Sequence, residues 1–400
     1  MIRKKILISD TAPLYPPMWG GPKRIWGLFS NLTHKYDIIY VGVDTGQYEL
    51  VKGIEASEDF FEKRFSMPES YYKYWLPIYE RLFKNLNFDP YTYFFIDNAK
   101  HYVDALESQP ADAIVCSHPW SWNTLKYRTD SPVIYDAHNC EYTLMRSLAE
   151  GNLFKPILTH KTKVLEGDLC RRAKVILACS EEDKQAFVDV YKLDPGKISI
   201  VENGTDIPPL PSLKERVAAR EELGYARQPV VLFVGAYYKP NIQAVDFIVN
   251  RLAPKLPACQ FVIVGTVTNA FSDSQAPENV SFAGILTDDY LEHYWRAADL
   301  AVNPMSKGSG VNIKMLDYMA AGIPTVSTPF GCRGLDVENE KHVVISELDN
   351  FATAIWDTLK NPELRGLMRK KGYDYVSTKF DWKILSKKVE HILDQLLFDR

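Results

Sequence analysis

Residues 303–322 read NPMSKGSGVNIKMLDYMAAG, and the fold turns on this stretch. An apolar run ends near Met305, a glycine-containing turn follows, and helical periodicity begins around Val311. Met315, Leu316, Met319 and Ala320 then share the face expected to meet a core. A strand, a Gly-rich turn and a helix start present unpaired backbone N–H groups and the positive end of a helix dipole to an anion. Gly308 and Gly310 let the backbone approach a diphosphate with no Cβ in the way, and Lys307 and Lys314 add charge. A turn of this kind also serves simply to pack a helix on a sheet, and the residues alone leave both uses open.

Outward from this motif, apolar β-branched runs alternate with amphipathic stretches. In the first half the expected strands are Lys5–Asp10, Asp37–Asp44, Ala113–His118, Pro132–His138, Lys174–Ser180 and Ile198–Gly204. Continuous apolar runs of this type suit parallel strands covered on both faces. The prolines of Thr205–Ser212, TDIPPLPS, interrupt the pattern, since neither helix nor central strand runs through them. It restarts with Val230–Gly235, Gln260–Gly265, Val280–Leu286, Asp299–Ser306, Thr325–Thr328 and His342–Ile345. Strand–helix alternation implies right-handed crossovers and doubly wound sheets. The expectation is two Rossmann-like α/β domains, residues 1–205 and 206–381, facing across a cleft, because ligands bind beyond the carboxyl ends of such strands. The helix from Trp382 to Leu397 gathers Ile384, Leu385, Val389, Ile392, Leu393 and Leu396 near one face and has a sheet to cover.

Bulk properties agree with two domains. Four hundred residues exceed what one core usually serves. A net charge of -4 gives no support to a nucleic-acid binder. Cys116, Cys140, Cys170, Cys179, Cys259 and Cys332 form no CxxC or zinc-ligand spacing and read as free thiols of a reducing compartment. The opening MIRKKILISD reads as a first strand rather than a signal peptide, and no run reaches the roughly 18 apolar residues that span a bilayer. A cytoplasmic protein is expected.

The 303–322 stretch resembles the donor-binding motif of family 4 glycosyltransferases, retaining enzymes of the GT-B fold. Their usual pattern is two acids separated by seven residues and a helix ending in Met-Ala-x-Gly. On this chain the second acid falls on Asp317 and the ending on Met319–Gly322. The first acid, which touches the donor sugar, falls on Ser309, a departure from the pattern. Gly308–Lys314, GSGVNIK, is close to the GSGxxxK-type turn of one branch. The resemblance implies that Gly308, Gly310, Val311 and Asn312 lie against the donor phosphates, that Asp317 bonds the ribose, and that Ser309 and Lys314 act in catalysis. It also places Gly20 and Gly21 in the first βα loop against donor phosphate and acceptor, and His118, a third catalytic candidate, at a strand end against the donor.

On position alone His118 is more often structural, and Gly20-Gly21 equally suits a surface loop. In the second domain's first βα loop, family members carry an Arg and a Lys. Here those positions hold Ala236 and Asn241, with Lys239 as the substitute cation, although a solvated lysine is the alternative. Asp136-Ala-His138-Asn139-Cys-Glu141 matches a D-x-H-N-x-E stretch of some members, Glu166 matches a further family position, and Phe380-Asp381-Trp382 matches the entry to a last helix, 382–400, that crosses back onto the first domain. Ser180, followed by Glu181, Glu182 and Asp183, reads as a helix N-cap.

The likeness is collinear along the chain and loosest over residues 45–110. There Tyr71, Tyr72, Tyr74, Trp75, Tyr79, Tyr91, Tyr93, Phe94 and Phe95 suit core packing more than sugar stacking or a membrane interface. The implied activity is hexosyl transfer from a nucleotide-diphosphate sugar to a glycan, lipid-linked or small-molecule acceptor. No metal or other cofactor is expected, and peripheral contact with the inner face of the membrane is compatible with the sequence. Two rival readings are a GT-B nucleotide-sugar epimerase and, given Ser309 and Ala236, a non-catalytic nucleotide-sugar-binding subunit. Sugar, base, acceptor and oligomeric state are not specified by these residues.

Overall fold

A computed structural model describes residues 3–17, 19–44, 55–57, 60–66, 71–75, 77–78, 81, 100–127, 130–225, 228–272, 276–307 and 311–398. The chain divides into two compact units, residues 1–203 with 382–400, and residues 204–381.

Unit 1 is built on β1 (Lys4–Ser9), β2 (Tyr36–Asp44), β3 (Glu55–Ser57), β4 (Phe60–Ser66), β5 (Ala113–Cys116), β6 (Val133–Ala137), β7 (Val175–Ala178) and β8 (Ile198–Ile200). Their order is β3-β4-β2-β1-β5-β6-β7-β8. The strands are parallel apart from β3, which runs antiparallel to β4 at the edge. The accompanying helices are α1 (Gly20–Phe29), α2 (Lys100–Ser108), α3 (Trp122–Leu125), α4 (Glu141–Leu148), α5 (Lys155–Arg172) and α6 (Glu181–Tyr191). The central strands bury whole runs such as Val133–Ala137 because helices cover both faces.

Unit 2 carries β9 (Val230–Val234), β10 (Gln260–Val264), β11 (Val280–Gly284), β12 (Leu300–Asn303), β13 (Thr325–Ser327) and β14 (Val344–Ile345), all parallel, in the order β11-β10-β9-β12-β13-β14. Its helices are α7 (Leu213–Glu222), α8 (Lys239–Phe247), α9 (Asp288–Ala297), α10 (Ile313–Ala320), α11 (Phe351–Lys360) and α12 (Pro362–Lys379). The last helix, α13 (Trp382–Leu397), belongs to unit 1. It buries Trp382, Leu385, Val389 and Leu393, while Ile384, expected on that face, is exposed. Gly27 of α1 lies so close to Trp382 that a Cβ there would overlap the indole.

Each of the twelve expected strands is present. β3 and β4 were not expected. β4 reads FFEKRFS, yet Glu62 in its middle is fully buried. Its two carboxylate oxygens accept the backbone N–H groups of Leu14 (2.8 Å) and Tyr15 (3.1 Å), and Arg64 pairs with it. A charged residue inside a strand is retained when it satisfies backbone donors that would otherwise be stranded. Of the aromatic cluster expected in a core, Tyr74 and Trp75 are exposed, and the Lys73 ammonium stands 5.4 Å from the Tyr74 ring. Tyr79, Tyr91, Tyr93, Phe94 and Phe95 lie outside the described residues.

Candidate functional site

In an open parallel sheet, a crevice opens where neighbouring strands send their connections to opposite sides. In unit 1 that point lies between β1 and β5, and in unit 2 between β9 and β12. The candidate residues gather at these two places.

At the first, Asp10 follows β1 and His118 follows β5. His118 Nδ1 stands 2.7 Å from Asp10 Oδ1, its Nε2 is 3.9 Å from Glu141 Oε1, and its ring packs edge-on at 4.5 Å against His138. Burial alone would lower the His118 pKa, but Asp10, with help from Glu141 and Asp136, raises it to about 9. Burial pushes the Glu141 carboxyl up to about 7 against the pull of His118. For Asp10 burial acts upward, and the imidazolium overcomes it and holds the carboxylate below its ordinary value. His138 is pushed down by burial and by His118. The two imidazoles are thus pushed in opposite directions, His118 toward its charged form and His138 toward its neutral one. Asp10 Oδ2 is buried and finds no hydrogen-bond partner among the described residues, so it is available to a ligand hydroxyl.

Behind this layer Asp136 binds Arg24 of α1 at 2.8–2.9 Å, and Arg24 also donates to the carbonyl of Val201 (2.8 Å) and to Asn203 Oδ1 (3.1 Å). Burial opposes ionisation of Asp136, yet Arg24 and His138 lower it to about 2. Gly20 opens α1, and a Cβ on Gly21 would come 3.3 Å from His138 Nδ1, so glycine lets the helix start meet the imidazole. Glu166, on α5, is fully buried and accepts the Tyr135 hydroxyl (2.8 Å), the Tyr191 hydroxyl (2.5 Å) and the N–H groups of Glu141 (2.8 Å) and Tyr142 (2.9 Å). It thus caps α4 and fixes Glu141 beside His118.

At the second place α10 begins at Ile313, two residues later than the periodicity suggested, because Asn312 is its extended N-cap. The Asn312 side chain does not cap the helix; it donates to the Gly331 carbonyl at 3.0 Å. No acid sits in the first turn, so its N–H groups keep their positive end uncompensated by a side chain. Val311 precedes the cap and packs against Gly334, where a Cβ would come 2.6 Å from Val311 Cγ2. Lys314 Nζ donates to Asn241 Oδ1 at 2.7 Å and lies 4.0 Å from the centre of the Phe233 ring. Burial lowers its pKa to about 7, with only a counter-pull from Asp317. Asn241 also donates to the Ala236 carbonyl at 2.9 Å, so it ties the loop after β9 to the start of α10. Asp317 accepts from the Thr205 hydroxyl at 2.7 Å through Oδ1. Lys239 is exposed at the first position of α8. Gly308, Ser309 and Gly310 lie outside the described residues.

Sequence reasoning passed over Asp10, Arg24, Glu62 and the bridging role of Asn241. Strand order was the missing signal: Asp10 and His118 meet only because β1 and β5 are neighbours. Among the described residues no three His, Cys, Asp or Glu side chains are arranged to hold a metal ion.

Comparison with known proteins bears on the family and the fold. Residues 228–361 match the family model described as glycosyl transferases group 1, and residues 60–207 match the model described as glycosyltransferase family 4. The chain belongs to the family 4 glycosyltransferases. This member is 26% identical over 266 residues to the D-inositol 3-phosphate glycosyltransferase of Mycobacteroides abscessus, covering 62% of its own chain and 58% of the relative. Against the protein of that name from Mycobacterium sp. (strain KMS) the identity is 27% over 286 residues, with coverage of 66% and 62%. The chain therefore spans about three fifths of the length of the curated relatives it matches.

Among solved structures, sucrose-phosphate synthase from Thermosynechococcus elongatus superposes with a TM-score of 0.76 at 17% identity over 100% of both chains. Anabaena HepE in complex with UDP and glucose superposes with a TM-score of 0.72 at 14% identity, over 98% of this chain and 100% of that one. The fold of this family member is GT-B, two Rossmann-like α/β domains. No helix among its described residues is long and apolar enough to cross a membrane.

Proposed function

We propose that the protein is a retaining glycosyltransferase that moves a hexosyl group from a nucleotide-diphosphate sugar to a hydroxyl of a glycan, lipid-linked or small-molecule acceptor, without a metal or other cofactor. One observation carries the reading: the uncapped first turn of α10 stands beside the Lys314 amine at the switch point of unit 2. Helix-start N–H groups and a neighbouring amine suit a diphosphate in both charge and geometry. Gly308, Ser309 and Gly310 precede this turn as the GSGxxxK pattern, Val311 and Asn312 complete it, and Lys239 adds an exposed cation at the start of α8.

As the anomeric carbon–oxygen bond to the diphosphate breaks, negative charge grows on the leaving oxygen and positive charge on the sugar. The α10 amides and a protonated Lys314 stabilise the former. The acceptor oxygen bonds the anomeric carbon on the face the diphosphate leaves, and its proton passes to a diphosphate oxygen. Asp317 holds the ribose. In unit 1, His118 and Asp10 receive sugar hydroxyls, with Gly20 and Gly21 keeping the approach open. The UDP bound to HepE and the inositol phosphate named for the mycobacterial relatives suit such a donor and acceptor. The six cysteines are buried free thiols, which suits the cytoplasm, and we place the protein there at the inner face of the membrane.

Turnover tests this reading. A panel of nucleotide sugars is incubated with a panel of sugar, inositol phosphate and lipid-linked acceptors, and nucleoside diphosphate release and product anomer are followed. The expected product keeps the donor's anomeric configuration, and its formation falls at least about a hundredfold in Lys314→Ala, the scale of losing one transition-state donor. An inverted product, or full activity in the variant, contradicts the assignment.

A further inference from the structure

Unit 1 carries a face on α3 and α5 that its core does not use. Helix α5 buries Leu158, Leu165, Glu166, Leu169 and Cys170 on one side. On the other it exposes Ile157 (58%) and Val164 (56%), with Leu153 (88%) just before the helix and Tyr127 (85%) just after α3. Singly, exposed apolar residues need no explanation. Here they are interleaved with cations: Lys161, Arg171 and Arg172 on α5, and Lys126 beside Tyr127. Of the two acids on α5, Glu166 is buried, and Asp168 is engaged by Trp122 Nε1 (2.8 Å) and Arg171 (3.6 Å). The chain as a whole is acidic, at -4, so this basic face is local. Between α3 and α5 lies a cavity of about 460 Å³ lined by Lys126, His160, Lys161, Val164, Arg171 and the carboxylate of Asp168, among others.

We propose that the α3–α5 face of unit 1 docks on an anionic lipid bilayer, with headgroup phosphates seated in this cavity. Charge complementarity selects an anionic partner, and the apolar side chains select a bilayer. An acidic protein or a nucleic acid would meet the lysines and arginines but leave Leu153, Ile157 and Val164 in water. A bilayer takes both, with the apolar chains among the headgroups and the cations at the phosphates. The inference deepens the membrane-face part of the proposed function and stands apart from its transferase part.

The test is co-sedimentation of the whole chain with vesicles of phosphatidylcholine, alone or doped with phosphatidylglycerol, in the absence of any sugar donor. Binding is expected only to the doped vesicles. The double variant Lys161→Glu, Arg171→Glu should weaken it by about fivefold or more per side chain, following the usual contribution of a basic residue at such a surface. Ile157→Ser with Val164→Ser should weaken it several-fold at unchanged thermal transition. Equal binding to both vesicle types overturns the proposal. So does a charge variant that binds like wild type, or an apolar double variant that does, since the latter marks a surface for any polyanion. Inorganic phosphate bound in the cavity without vesicle binding would mark a soluble-anion site and also overturn it. Because vesicle binding is read without donor, its failure leaves the transfer reading standing, and failed turnover leaves the docking result untouched.

Discussion

Asp10 and His118 show how two residues 108 positions apart make one chemical unit once β1 and β5 pair. The His118 pKa is raised from 6.5 to about 9 on folding. Its contribution to stability is therefore fully present below about pH 6.5 and is lost as pH rises through 9. Glu141, raised from 4.5 to about 7, acts with the same sign at lower pH, favouring the fold below 4.5 and ceasing to as pH passes 7. The melting temperature of unit 1 should thus fall between pH 6 and 9.5. In Asp10→Asn that fall should shrink, because the carboxylate that holds the imidazolium is gone. Melting curves at the two pH values, followed by tryptophan fluorescence, check this; an undiminished fall in the variant contradicts the pairing. Of this cluster, the place of His118 just past an apolar strand was readable from sequence, although position alone favoured a structural role. Its carboxylate partner was not, since nothing local marks Asp10 as the residue it would meet.

At the scale of elements, the α4 start depends on a side chain supplied from α5. Glu166 satisfies two helix-start N–H groups and two tyrosine hydroxyls from a fully buried position. Glu166→Gln keeps the volume but turns one acceptor into a donor aimed at other donors. It should destabilise unit 1 by about 2–4 kcal/mol, the scale of a broken buried network. Urea unfolding measures it, and a change within about 0.5 kcal/mol would show that Glu166 does not hold α4.

Other elements divide by how local their causes are. The Ser180 N-cap of α6, which accepts the Asp183 N–H at 3.1 Å, is a four-residue pattern and was readable as such. Strand β4 was not, because Glu62 and Arg64 break its apolar run for the sake of a loop nearly fifty residues upstream. The start of α10 was misjudged by two residues because Val311 continues the apolar spacing into the extended cap.

Over the whole molecule, the alternation of apolar runs and the Thr205–Ser212 interruption foretold two α/β units. Sheet order, and with it the place of each site, depends on which strands pair and is written in no single segment. In the proposed reading unit 2 binds a donor diphosphate at the start of α10 with help from Lys314. Its amine, pushed by burial to about 7, changes charge near neutrality in the direction that matters. The protonated form attracts a diphosphate, so donor affinity should fall by up to about tenfold per pH unit above 7. Bound donor should also raise the melting temperature by mass action. The most direct measurement is calorimetric titration of nucleotide-diphosphate sugars into wild type and Lys314→Met from pH 6 to 9. At least one donor should bind wild type with this pH dependence, and the variant should bind it more weakly and with a flat profile. Equal affinity and equal pH dependence in the two proteins would contradict it.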